Sequence, residues 1–220
     1  MATKKTEITR DILISKYMQY KLEHNEKPKS VFQFAKDAGF EERQFYTFFG
    51  SLEGIEKDIF KQFLENTIAL LEKDPSYALY DMRSKMLSFY FTFFEMVTSN
   101  RSYVVMSLKE SGYSLQSVMQ LASLRDAFKH YVSSIMTDEL RTPHEKLRTI
   151  QEKTIQESSW IQFMFTLKFW LDDSSPAFEK TDLFIEKSVK ASFDLMQITP
   201  LDSLLDFGKF LFKEKIQHNS

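Results

Sequence analysis

The chain has 220 residues, 43% of them hydrophobic and 27% charged, and a formal net charge of −2; the length allows one generous domain or a small domain joined to a larger one, and the charge excludes a surface coated in positive potential. There is no cysteine, which excludes a disulfide framework and a thiolate metal site, and five Gly with five Pro give too little punctuation for a many-stranded sheet. The reading is an all-α protein whose 22 Phe and 10 Met supply bulky, adaptable packing material.

The opening "MATKKTEITR" lacks the apolar run of a signal peptide, and no uninterrupted apolar stretch nears the roughly 18 residues of a membrane span, so the expected location is cytoplasmic. Thr6 is expected to cap a first helix carrying Leu13, Tyr17 and Tyr20 with Ile14, Met18 and Leu22 at helical spacing, stopped near Pro28. Ser30 followed three residues later by Gln33 is a capping-box pattern that opens a short helix with Val31, Phe34 and Ala35 inward. Gly39 ends it as a left-handed C′ residue. A third short helix follows through "ERQFYTFF", and Ser51 caps a long helix to about Lys73. Three short helices with a glycine turn between the second and third make a helix-turn-helix arrangement, and residues 1–50 carry nine basic against seven acidic residues while the remainder is net −4. The expected division is a helix-turn-helix domain over 1–50 and a larger helical domain over 51–220.

"SYALYDMRSKMLSFYFTFFEMVTSN" is expected to form one helix whose later half, Phe89, Tyr90, Phe91, Phe93, Phe94 and Met96, is apolar nearly all round and therefore central. Shorter segments follow around Tyr103–Lys109 and Leu115–Leu140, and Pro143 sits in the first turn of a helix that reaches Leu171. "DDSSP" is a loop, Ala177–Met196 is a further helix, and residues 201–216 close the chain with Leu201, Leu204, Leu205, Leu211 and Phe212 on one face.

Residues 30–55 resemble the TetR family of bacterial repressors, whose pattern is matched here by Ala35, Ala38, Gly39, Tyr46, Phe49, Ser51 and Glu53. The resemblance implies a reader helix in the major groove. It nominates Arg43, Gln44, Tyr46 and Thr47 for contact with DNA, with Lys29 and Lys36 beside them as phosphate contacts. Solvated polar residues on a short helix are the alternative for all of these. Two departures stand against tight binding: Leu52 occupies the place of a phosphate-contacting Lys, and Glu42 adds a like charge where the helix approaches the backbone. Glu41 suits a helix N-terminus.

"FWLDDSSPAFEKTDLFIEKSV", residues 169–189, is similar to a stretch of TetR ligand domains. It is also similar to the TetR-fold lipid-binding accessory proteins of ubiquinone biosynthesis, through Asp173, Ser174, Ser175, Pro176, Phe178, Glu179 and Thr181. The second resemblance implies a lipid ligand and a peripheral membrane contact through 201–216, where Lys209, Lys213 and Lys215 would meet anionic head groups; the alternative is that this segment folds back on its own domain. The TetR resemblance further implies a homodimer through the last two long helices, with Phe163, Phe165, Phe169, Ile185, Val189 and Phe193 at the interface. Phe89, Tyr90, Phe93, Phe94 and Met96 are the expected lining of a pocket for an apolar small molecule or lipid, with plain core packing as the alternative.

His24, His130, His144 and His218 show no metal-ligand spacing, and no phosphate loop, nucleophile elbow or paired catalytic carboxylate is present. Neither a cofactor, a metal nor catalysis is expected. The expected function is a one-component transcription regulator that binds DNA as a homodimer and responds to an apolar effector; the alternative is a lipid-binding accessory or carrier protein in which the helix-turn-helix is scaffold.

Overall fold

The computed structural model describes residues 7–109, 119–136 and 145–198. Their regular structure is entirely helical: α1 (Arg10–His24), α2 (Val31–Ala38), α3 (Glu42–Phe45), α4 (Leu52–Leu71), α5 (Met82–Ser99), α6 (Arg101–Lys109), α7 (Ala122–Ile135), α8 (Glu145–Asp172) and α9 (Glu179–Ile198), with 3-10 turns at Pro75–Leu79 and Pro176–Phe178. They group into two compact units, one drawn from 1–69 and 93–127, the other from 70–92 and 128–220.

In the first unit, α1 to α3 close around Phe34, which meets Tyr17, Tyr20, Phe40 and Phe45 edge-on at centroid distances of 5.5, 5.9, 5.1 and 6.2 Å. Edge-to-face pairs of this kind add about 0.5–1.5 kcal/mol each to simple burial, so one residue ties three short helices that would be marginal alone. The caps follow the sequence closely. The Ser30 hydroxyl accepts the Gln33 N–H at 3.1 Å. Gly39 lies in the left-handed region at φ +73°, and the Phe40 N–H returns to the Ala35 carbonyl at 2.9 Å. Ser51 Oγ accepts the Gly54 N–H at 3.1 Å ahead of α4.

Three expectations are corrected. α1 is capped by Thr9, whose hydroxyl accepts the Ile12 N–H at 3.3 Å, and Thr6 lies outside the described residues. α3 is regular only over Glu42–Phe45 and continues as a turn in which Phe48 and Phe49 both donate to the Phe45 carbonyl. The helix expected from Ser76 onward is divided, because two aspartates each cap a separate element. Asp74 accepts the Ser76 N–H at 2.9 Å to start the 3-10 turn, and Asp81 accepts the Ser84 N–H at 2.7 Å to start α5. Pro143, residues 201–216 and parts of 115–140 lie outside the described residues.

In the second unit an aromatic cluster forms the core. Phe163 of α8 packs on Phe128 at 4.9 Å and on Trp160 at 5.4 Å, and Phe89 of α5 packs on Tyr131 at 4.7 Å and Phe128 at 5.5 Å. The Tyr131 hydroxyl shares a 2.7 Å hydrogen bond with Tyr77 and donates to the Lys85 carbonyl at 3.1 Å, so burial leaves these polar tips satisfied. α8 and α9 are joined by a turn in which Ala177 and Phe178 both take left-handed backbone at φ 50° and 57°. Asp173 spans that strained pair. Its Oδ1 accepts from Ser175 N–H at 2.8 Å and Oγ at 2.7 Å, and its Oδ2 accepts from Thr181 N–H at 3.0 Å and Oγ1 at 2.7 Å. Burial raises this carboxyl, and the four hydrogen bonds more than reverse the effect, holding it down to about 2. The motif that resembles a lipid-binding family is therefore, physically, the N-terminal clasp of α9.

Candidate functional site

The helix-turn-helix places its nominated side chains unequally. Lys29 and Lys36 are exposed near the start and end of α2. Arg43, at i, and Tyr46 and Thr47, at i+3 and i+4, fall on one exposed side of α3 and its following turn. Arg43 is 84% exposed at its side chain, yet its Nε donates to Glu41 Oε2 at 2.8 Å. Tyr46 donates from its hydroxyl to Glu42 Oε1 at 3.3 Å, and Thr47 Oγ1 donates to the Arg43 carbonyl at 3.4 Å. Gln44 is half-buried, and its side-chain carbonyl accepts the Glu41 backbone N–H at 2.9 Å. That bond makes Gln44 a capping residue and competes with the paired contact an adenine edge requires. At the start of α4, Glu53 brings a carboxylate to the helix N-terminus, where backbone N–H groups depress its titration and Lys27 lies 3.9 Å away. Leu52, between Ser51 and Glu53, brings no positive charge to that N-terminus.

The same unit holds a buried polar network that reading the sequence missed. Lys21 of α1 is 1% exposed and Glu56 of α4 is 5% exposed. Lys21 Nζ stands 3.6 Å from Glu56 Oε1, donates to Ser107 Oγ of α6 at 3.2 Å, and lies 5.8 Å from the Tyr103 ring centroid. Glu56 accepts from the Tyr17 hydroxyl at 2.8 Å and from Gln120 Nε2 at 3.3 Å. Burial and the Glu56 carboxylate push the Tyr17 phenol far above its usual range, so it stays a donor at any working pH. The network ties α1 to α4 and α6 within one unit. The sequence carries no signal for it, since Lys21 stands between the buried Tyr20 and the exposed Leu22 and reads as one more polar helix position.

Of the expected pocket residues, Phe89 and Tyr90 are fully buried in the second unit, where Tyr90 approaches Phe163 at 6.1 Å. Phe93 and Phe94 are buried in the first unit, and Met96 is half-buried there with its sulfur 3.8 Å from the Thr67 hydroxyl. α5 therefore contributes side chains to the core of each unit.

The expected interface residues divide by helix face. Phe163, Ile185 and Val189 point into the chain's own core and are buried, and Phe193 is half-buried. Phe165 is 64% exposed, and Phe169 is at the surface with its ring stacked on Phe184 at 4.6 Å. Ile161, Leu183 and Leu195 extend the exposed apolar surface of α8 and α9. Two adjoining surface depressions there, about 450 and 420 Å³, share Phe169, Phe184 and Lys180.

Among the described residues no group of His, Asp and Glu is arranged to hold a metal, and no helix is long and apolar enough to cross a membrane. His24 stacks on Tyr20 at 4.0 Å and His130 is exposed.

The described residues hold a helix-turn-helix in the first unit and an apolar helix pair at the surface of the second. The comparisons give the family: the tetracyclin repressor-like, C-terminal domain matches residues 85–211, more than half of the chain, and the chain belongs to the TetR family of regulators. Its fold is similar to that of a protein described as a TetR-family transcriptional regulator from Syntrophomonas wolfei, at 14% identity and a TM-score of 0.60, over 85% of this chain and 94% of that one. It is also similar to a protein of unknown function from Rhodococcus sp. RHA1, at 13% identity and a TM-score of 0.51, over 87% and 98%. At these identities the likeness is one of fold. Among curated proteins none matches the chain.

Proposed function

We propose that this chain is a transcription regulator that binds DNA as a homodimer through the 1–50 domain and answers to an apolar small molecule or lipid held by the 51–220 domain, in the cytoplasm. The observation that carries the reading is the α2–turn–α3 arrangement, which leaves Lys29, Lys36, Arg43, Tyr46 and Thr47 exposed while Phe34 and Phe45 hold the two helices from behind. Dimerisation uses the exposed side of α8 and α9, with Phe165 and Phe169 central, because an apolar surface of this kind is stabilised by a self-complementary partner. Effector binding shifts the population between two packings of the helical body and so changes the spacing of the two reader helices. The test is binding of purified, effector-free protein to fragments of genomic DNA, including the region upstream of its own gene, across a salt titration. Selective binding with a steep salt slope supports the reading, and no selectivity at low salt removes it.

A second reading, a lipid-binding accessory protein using the same fold, is favoured by one observation: the carboxylates of Glu41 and Glu42 engage Arg43 and Tyr46 and offset the positive charge of α3. In that case truncation after Pro200 abolishes sedimentation with anionic vesicles, and Arg43→Glu changes nothing.

A further inference from the structure

We propose that Glu41 is a positioning residue for Arg43, and that this pair converts the reader helix from a phosphate binder into a selector of guanine at one position of each half-site. The inference rests on the regulator reading above. Its starting point is which nitrogen of Arg43 is engaged. Glu41 Oε2 takes the Nε–H at 2.8 Å, and among the described residues no protein group bonds either Nη. A guanidinium held at Nε presents its two Nη groups side by side and forward. That is a geometry in which an arginine can give two parallel hydrogen bonds to the O6 and N7 acceptors of guanine.

The carboxylate also decides what the arginine rejects. A phosphate brought to Arg43 meets a second anion only one side chain away, whereas a guanine edge carries acceptors without a net charge. The same carboxylate that weakens backbone attraction therefore leaves base reading intact. Glu41 is itself held, because its backbone N–H is taken by the Gln44 side chain at 2.9 Å, so the order of support runs from Gln44 to Glu41 to Arg43. Acidic residues that look hostile to DNA thereby acquire a physical role, with specificity gained at the expense of non-specific affinity.

The experiment is selection from a randomised duplex DNA library with the full-length protein and its variants Glu41→Ala, Glu41→Gln, Arg43→Ala and Glu41→Ala/Arg43→Ala, reading base preference position by position. Arg43→Ala is expected to lose roughly tenfold or more of the preference for one G·C pair per half-site. Glu41→Ala is expected to lose roughly two- to fivefold at that same pair, the strength of an exposed ion pair, with the other positions unchanged. It is also expected to gain affinity for random duplex, with a log–log salt slope steeper by about 0.9 as Arg43 turns to phosphate. Glu41→Gln, which keeps an acceptor for Nε, falls between, and the double variant loses no more than Arg43→Ala. A purely structural role for Glu41 would weaken every position alike and would overturn the proposal, as would an unchanged preference in Glu41→Ala. If the unsubstituted protein enriches no sequence at all, the regulator reading itself falls and takes the proposal with it.

Discussion

Replacing Lys21 by Met removes the cation from a site where Glu56 remains 5% exposed. At the observed 3.6 Å separation the attraction between the two charges is about 5 kcal/mol at an effective dielectric constant near 20, and taking both out of water costs a comparable amount. The intact pair is therefore close to neutral for stability. Breaking it is not, because the Tyr17 hydroxyl and the Gln120 amide still solvate the Glu56 carboxylate but no longer neutralise it. The expected loss is about 3–5 kcal/mol, which lowers the thermal midpoint of a chain this size by roughly 10 °C. The decisive assay is a double-mutant cycle with Lys21→Met, Glu56→Leu and both together, followed by circular dichroism melts. The double variant should melt above Lys21→Met, since it removes the stranded charge. A midpoint for Lys21→Met within 2 °C of the parent, or a double variant destabilised by the sum of the singles, would refute the reasoning.

Asp173 titrates near 2 when folded, below the usual carboxylate value near 4, so its contribution is full above about pH 4 and disappears as pH falls toward 2. With exposed Ser174, Pro176 and Ala177 beside it, water reduces that contribution to about 1–2 kcal/mol. Asp173→Asn should lower the urea midpoint at pH 7, with the gap to the parent narrowing to roughly a third by pH 2.5. Gly39 sits at φ +73° with nothing within 4 Å of an added Cβ, so Gly39→Ala should cost about 1–2 kcal/mol through backbone strain alone, and Gly39→Asn less, as read from urea melts. Because Phe165 is mostly exposed, Phe165→Glu should leave the monomer within about 0.5 kcal/mol of the parent while light scattering shows the dimer gone.

What the sequence reveals divides by range. Ser30, Gln33 and Gly39 were readable because a cap is a local affair, settled within three or four residues of chain. The break before α5 was not, since Asp81 in an otherwise helical run gives no periodicity signal and works by one side-chain hydrogen bond. Lys21 and Glu56 were invisible for a different reason: a charged residue on a helix is read as solvent-facing unless its partner, here 35 positions away, is known. On α8 the apolar residues occupy several faces, so sequence spacing could not tell that Phe163 turns inward while Phe165 turns outward. The Asp173 motif was recognised by its resemblance, and its work as a clasp across Ala177 and Phe178 needed the backbone angles.

The measurement that bears most directly on the central claim is a hydroxyl-radical footprint of the effector-free protein on a genomic fragment it retains. Two reader helices related by a two-fold axis should protect two patches centred about one helical turn, roughly 34 Å, or a multiple of it, apart. Arg43→Glu should erase both. A single protected patch, or no protection even at low salt, would contradict the account of this chain as a dimeric reader of DNA.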